Sequence, residues 1–317
     1  MTRRRLRTIA ASLLLLVTTI ALAVWFTLPA SIPARGDFHG FALDTTVDSE
    51  SARYYVESYA QGSADDPQLH DAIDTLKRDF GDRIPNHVDL RLVAQARSVD
   101  FAALFFAAQL LSLGQNAAIN DLFRVHVDRA LREEVTIERS DDITVVLVPG
   151  YDYEENGRAA GGDLQDQVAI LRTLGFRVAF VDVDPIGTVM ESAAVISRAL
   201  EELAPTQVVI AGPSSAGPAI QTALSRLDPA SGVLAWLNLG GTLQGVPLLD
   251  WFQAYPQRLA LDVVVWAQDW RHDSFESLTN RVLRDRFAQL SIPADILVFN
   301  YISMSLSGYI SRFGWDK

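Results

Sequence analysis

The sequence predicts an α/β domain built on a doubly wound, mostly parallel sheet, preceded by an α-rich region and an N-terminal apolar segment. Two observations predict the sheet. From residue 141 onward short apolar runs recur as "DITVVLVPGY", "FRVAFVDVD", "TQVVIAG", "GVLAWLNLGG" and "ADILVFNYISM". Between the first four lie the amphipathic stretches "GDLQDQVAILRTLG", "TVMESAAVISRALEELA" and "GPAIQTALSRLD". Near-continuous apolar strands alternating with helices are what a parallel sheet covered on both faces requires, because neither face then meets water. A third observation concerns placement. In such sheets functional residues collect on the loops at the carboxyl ends of the strands, where "PGYDY", "DVDPIG", "GPSSAG" and "NLGGTLQG" all fall.

The chain opens on "MTRRRLRTIAASLLLLVTTIALAVWFTLPASIPAR". Residues 9–28 form an uncharged run of 20, long enough as a helix to cross about 30 Å of hydrocarbon. Arginines flank only its N-terminal side, which predicts a cytoplasmic N-terminus and an exported remainder. The expected topology is a single-pass anchor in the cytoplasmic membrane over residues 1–36, with Trp25 near the outer interface and Pro29 ending the helix. A signal peptide cleaved near Ala30 or Ala34 is the alternative; the length of the apolar run favours the anchor.

Residues 37–140 read as α-rich. "SARYYVESYAQGS" predicts a short helix stopped by Gly62. In "DPQLHDAIDTLKRDFG", Leu69, Ile73, Leu76 and Phe80 recur at helical spacing, with Asp66 as N-cap and Gly81 as the stop. "SVDFAALFFAAQLLSLGQNAAINDLFRVHVDRALREE" continues helical with a break near Gly114. The α/β domain then occupies 141–317.

Composition narrows the chemistry. The chain has no cysteine, which excludes disulfides, thiolate metal sites and thiol catalysis. Its net charge of −12 would repel phosphate backbones, so no nucleic-acid partner is expected. The acidic, glycine-rich "PGYDYEENGRAAGGD" matches no calcium-loop spacing, and neither a metal nor another cofactor is expected.

The stretch "VVIAGPSSAGPAI" runs an apolar strand into a glycine, two serines and a helix. A serine hydroxyl becomes a nucleophile only when a base takes its proton and fixed donors stabilise the oxyanion. A sharp strand-to-helix turn supplies the donors by aiming backbone N–H groups at one point. Centred on Ser214 the pattern has Gly212 two before and Ala216 two after; centred on Ser215 it would place Pro213 in the tight turn. Ser214 is therefore the candidate nucleophile, and a purely architectural or phosphate-binding turn is the competing reading.

With these elements the chain resembles the α/β-hydrolase superfamily, in particular lipase-like bacterial members. The resemblance spans Ile143 to about Leu306 and rests on "VVLVPGY", the serine turn and "NLGGTLQGVPLLD" in that order. It departs from the family at Ala216, where a second glycine is usual. The resemblance implies an exported or membrane-anchored serine ester hydrolase for a small-molecule or lipid ester. By it, the oxyanion donors are the N–H of Ser215 and one from Gly150 or Tyr151. The family order of serine, acid, then a late histidine leaves His272 as the sole histidine after Ser214. Asp250 or Asp273 is the acid expected to orient it, with Asp182, Asp184 and Asp316 as further candidates at strand ends. The sequence after "ADILVFNYISM" leaves no room for a last strand and histidine loop, so a shortened, non-catalytic binding or scaffold protein on the same fold is the alternative. The apolar "GVPLLDWFQAYPQRLALDVVVWAQDW" offers a lid or substrate surface, with ordinary core packing of its aromatics as the competing and more common reading.

Overall fold

A computed structural model of the 317-residue chain describes residues 32–132, 137, 140–155, 157–228 and 232–306. The apolar run 9–28 and Asp316 lie outside them. By internal contacts the chain divides into two compact units, residues 1–132 with 304–317, and residues 133–303.

The first unit begins with a feature absent from the sequence reading. Strands β1 (Ile32–Phe38) and β2 (Phe41–Val47) pair antiparallel from Ile32↔Val47 to Phe38↔Phe41. The turn residues His39 and Gly40 both have positive φ, 52° and 86°, which gives the tight turn the hand that matches strand twist. The α-rich expectation for residues 37–140 is corrected to this extent. Five helices follow: α1 (Glu50–Glu57), α2 (Pro67–Phe80), α3 (His87–Ala96), α4 (Val99–Ser112) and α5 (Gly114–Arg132). The Asp66 carboxylate accepts from Gln68 and Leu69 N–H, and Gly81 ends α2 at φ 53°, as the spacing predicts. α5 turns 92° away from α4 at the Gly114 break. Tyr55, Ile73, Phe101 and Phe105 fill this unit's own core. No single helix among the described residues is long and apolar enough to cross a membrane.

The second unit holds five parallel strands: β3 (Ile143–Leu147), β4 (Arg177–Phe180), β5 (Gln207–Pro213), β6 (Val233–Leu239) and β7 (Leu297–Tyr301). Their order is β4-β3-β5-β6-β7. Helices α6 (Gly157–Ala160) and α7 (Gln165–Thr173) lie between β3 and β4, α8 (Val189–Leu203) between β4 and β5, and α9 (Ala216–Leu224) between β5 and β6. Alternate residues of the strands serve opposite faces. Val146, Ile210 and Trp236 stand in register and pack with Ile196 and Leu200 of α8 and Ile220 of α9. Val145, Leu147 and Ala211 pack with Val168 of α7 on the other face. This is the doubly wound sheet the apolar runs predict. The chain passes from β3 to a neighbour on one side and later, through α8, to a neighbour on the other. The carboxyl ends of β3 and β5 therefore flank a topological switch point, where loops diverge and leave a crevice.

Residues 247–290 interrupt the alternation between β6 and β7 with four helices: α10 (Pro247–Gln253), α11 (Gln257–Ala267), α12 (His272–Ser277) and α13 (Asn280–Gln289).

Candidate active site

Ser214 follows β5 at φ 52°, one of five described non-glycine residues with positive φ. A side chain in that region is strained by roughly 1–3 kcal/mol and persists only where its surroundings impose it. They do so from both sides. Ser214 C=O accepts N–H bonds from Gly217 in α9 and from Thr242 after β6, each 3.1 Å. The three glycines nearby have no room for a side chain. A Cβ on Gly212 would meet Ala216 Cβ at 2.7 Å and Val148 O at 2.9 Å. A Cβ on Gly217 would lie 2.7 Å from Gly241 Cα, and one on Gly241 would lie 2.0 Å from Asn238 Oδ1. The methyl of Ala216, the departure from the expected glycine, is accommodated because Gly212 opposite it has none. Strand, turn and helix are thus clamped together, and Ser214 projects exposed at the carboxyl end of the central strand.

Gly150 sits against the turn, so that a Cβ there would fall 3.9 Å from Ser214 Cβ. Of the two loop amides considered as oxyanion donors, that of Gly150 is spent on Gly162 O at 3.3 Å. Among the described residues the Tyr151 N–H has no backbone acceptor, and neither has the Ser215 N–H at the head of α9. Ser215 is in the ordinary helical region (φ −64°) and lines a cavity of about 20 Å³ together with Val148, Gly150, Tyr151, Asp184 and Leu278. This cavity lies in the crevice at the switch point.

The loops that form it are stitched to each other. Asp152 N–H donates to Pro185 O at 2.7 Å, and the Tyr153 hydroxyl donates to Asp182 Oδ1 at 2.8 Å. Asp184 Oδ1 accepts from Ile186 N–H at 3.0 Å. The segment leading into α12 lies over them. Trp270 meets the Tyr151 ring edge to face and Phe275 meets it tilted, with centroids 5.9 and 5.6 Å away. Arg271 bridges Asp184, Glu191 and Asp273 at 3.5, 3.1 and 2.7 Å. Ser274 Oγ donates to Ile186 O, and Ser277 Oγ accepts from Val189 N–H at 3.3 Å. Burial raises the Tyr151 phenol to about 12, with the Asp152 and Asp184 carboxylates adding to the effect. Its hydroxyl is therefore a proton-bearing donor at neutral pH, and among the described residues it has no hydrogen-bond partner. The Arg271 hydrogen bond holds Asp273 below the usual carboxylate range.

The predicted base and acid are not brought together. His272, at the start of α12, has Nε2 3.4 Å from Asp262 Oδ1 of α11 and Nδ1 3.4 Å from Arg258 Nη2. Asp250 instead caps α13, accepting from the N–H groups of Asn280 at 2.8 Å and Arg281 at 3.5 Å. A carboxylate is stabilised there by the helix's unpaired N–H groups, which is a structural use. Among the described residues no hydrogen bond joins Ser214 Oγ to His272 or to any carboxylate. The sequence reading missed Asp262 as the acid beside His272. Its i, i+4 ion pair with Arg258 (2.9 Å) is an ordinary helix-surface feature that does not single it out in the sequence.

No family model matches the chain, and no curated protein matches it. Among solved structures the chain is similar to a metagenomic carboxyl esterase at 17% identity and a TM-score of 0.45, over 55% of this chain and 53% of that one. It is also similar to the Bacillus licheniformis lipase BlEst2. The propeptide form gives 18% identity and a TM-score of 0.42 over 53% of this chain and 36% of that one, and the mature form 20% and 0.40 over 53% and 67%. The chain thus spans about half the length of the carboxyl esterase structure.

Proposed function

We propose that the chain is a serine ester hydrolase of α/β-hydrolase type, with Ser214 as nucleophile. The observation that carries this reading is the strained turn. A non-glycine residue held at φ 52° between a central strand and a helix, hemmed by three glycines with no space for a side chain, is an expensive way to build a simple connection. In the proposed reaction Ser214 Oγ forms a bond to the ester carbonyl carbon while its proton passes to His272. The oxyanion is met by the N–H groups of Ser215 and Tyr151. His272 returns the proton to the departing alcohol, and water then releases the acid from the acyl-serine. Asp262, not Asp250, orients the ring in this scheme. For Nδ1 to serve as base, Arg258 must release it, so the bond between α11 and α12 has to open when substrate binds.

The reading includes an anchored location. The apolar run 9–28 with arginines on one side supports a single-pass topology with the folded part outside the cytoplasm.

A second reading, a ligand-binding protein of the same fold without turnover, is favoured by one observation: both ring nitrogens of His272 are engaged by Arg258 and Asp262. A fluorophosphonate probe separates the two, since it phosphonylates only an activated serine. The hydrolase reading expects labelling of the wild type, none of Ser214→Ala, and a loss of about 10²–10⁴ in ester turnover for His272→Ala. No labelling between pH 6 and 9 would overturn it in favour of binding alone.

A further inference from the structure

Among the described residues the two most exposed large apolar side chains are Tyr255 and Trp266, at 81% and 83%. Both belong to the α10–α11 pair. On α11, Leu259, Val263 and Trp266 recur at i, i+4 and i+7, which sets them on one exposed stripe, while Leu261 and Val265 on the opposite side are buried. Leu248 and Trp251 of α10, which packs on α11, are likewise more than half exposed, and Tyr255 lies in the link between the two helices. The surface is also nearly free of charge. From residue 251 to residue 268 the sole charged side chains are Arg258 and Asp262, and they are spent on each other at 2.9 Å. An apolar patch of this kind marks a place where another surface is received.

The chain itself points to what that surface is. Pro29, Ala30 and Ser31 alone separate the uncharged run 9–28 from β1 at Ile32, a reach of at most about 14 Å. On the anchored location proposed above, on which this inference rests, the folded part is held close to the bilayer, so any further contact with lipid is intramolecular and needs little affinity of its own. A net charge of −12 gives the chain no general attraction to anionic headgroups. Indole and phenol rings supply a different one, because an apolar body with a polar tip suits the headgroup boundary. We propose that the exposed face of α10 and α11 docks on the lipid surface, with Trp251, Tyr255 and Trp266 seated among the headgroups and Leu259 and Val263 against the acyl chains. The contact is apolar and indifferent to lipid charge.

The chain has no cysteine, so a single introduced one can carry a fluorophore. Leu259→Cys and Val263→Cys, each labelled with an environment-sensitive dye, are reconstituted as the full chain in phosphatidylcholine vesicles, with Glu201→Cys on α8 as the exposed reference. The expected result is blue-shifted emission from the labels on α11 that spin-labelled lipid quenches, little of either from the label on α8, and no change when phosphatidylglycerol is added. Joining Trp251→Ser and Trp266→Ser to Val263→Cys should reduce the quenching to that of the reference. A chain that stays with the vesicles while the α11 labels are as unquenched as the reference overturns the docking surface alone. Blue-shifted but unquenched emission means that a second copy or another protein covers the face, and overturns it too. Release of the chain from the vesicles by alkaline carbonate is a separate result, which overturns the anchor and with it the docking surface that rests on it.

Discussion

Ser214 keeps its conformation against the preference of any residue with a Cβ, so the cost should be measurable. Glycine adopts positive φ without strain, whereas alanine retains the penalty of serine. We therefore expect Ser214→Gly to be more stable than Ser214→Ala by about 1 kcal/mol in urea unfolding, with both variants inactive. Equal midpoints and slopes for the two would mean that the turn stores no strain, and would remove the main reason for reading it as a nucleophile's seat. At the same scale, the phenol of Tyr151 is a candidate donor the sequence identified only through its backbone. Burial under Trp270 and Phe275 is a property of neighbours 119 and 124 positions away, and no local pattern announces it.

The segment around α12 packs on the Tyr151 loop. Its contacts with the β4 loop and the start of α8 run through Arg271 to Asp184 and Glu191, and Arg271 is held in place by Asp273. The Arg271 hydrogen bond depresses Asp273, and Glu191 is depressed first by Thr188 N–H and then by Arg271. Folded-state values below the unfolded ones mean that this contribution is fully present above the ordinary carboxylate range. It is lost as pH falls through the folded values. These groups are largely solvent-exposed, so screening limits the effect to about 1 kcal/mol or less. Amide-exchange protection of residues 270–277, corrected for intrinsic rates, should accordingly drop between pH 6 and pH 3 by up to about fivefold. Arg271→Gln should lower protection at pH 6 and flatten this dependence. A pH response unchanged in Arg271→Gln would assign the segment's attachment to its aromatic and serine contacts instead.

For the whole molecule, the two units have separate cores, and the first carries the chain from its N-terminal apolar run to the α/β unit. The topology prediction belongs here. A reporter active only after export, fused behind Lys317, should be active, and the protein should remain with membranes after alkaline carbonate washing. Release by the wash with export intact would indicate a cleaved signal instead of an anchor, and activity of a cytoplasmic reporter would overturn the topology altogether.

The sheet was legible in the sequence because a parallel strand buried on both faces needs a continuous apolar run, and such runs are local. The same holds for the helix with Asp66 as cap and Gly81 as stop, and for the placement of Ser214 at a strand's end. The β1–β2 hairpin went unread because its turn is His39–Gly40, where an imidazole residue takes the positive φ usually signalled by asparagine or glycine. Within the site the sequence by itself determined the nucleophile candidate, the loop that faces it and the sole histidine downstream. Only the tertiary structure decided the partners. Asp250 and Asp262 are both acids on the helices after β6, and their local sequences do not distinguish them. The packing of α10 against α13 assigns the first to a helix end, and the approach of α12 to α11 sets the second beside His272. Partnership between side chains depends on how separate elements meet, and that is fixed by burial summed over the fold, which no short stretch of sequence contains.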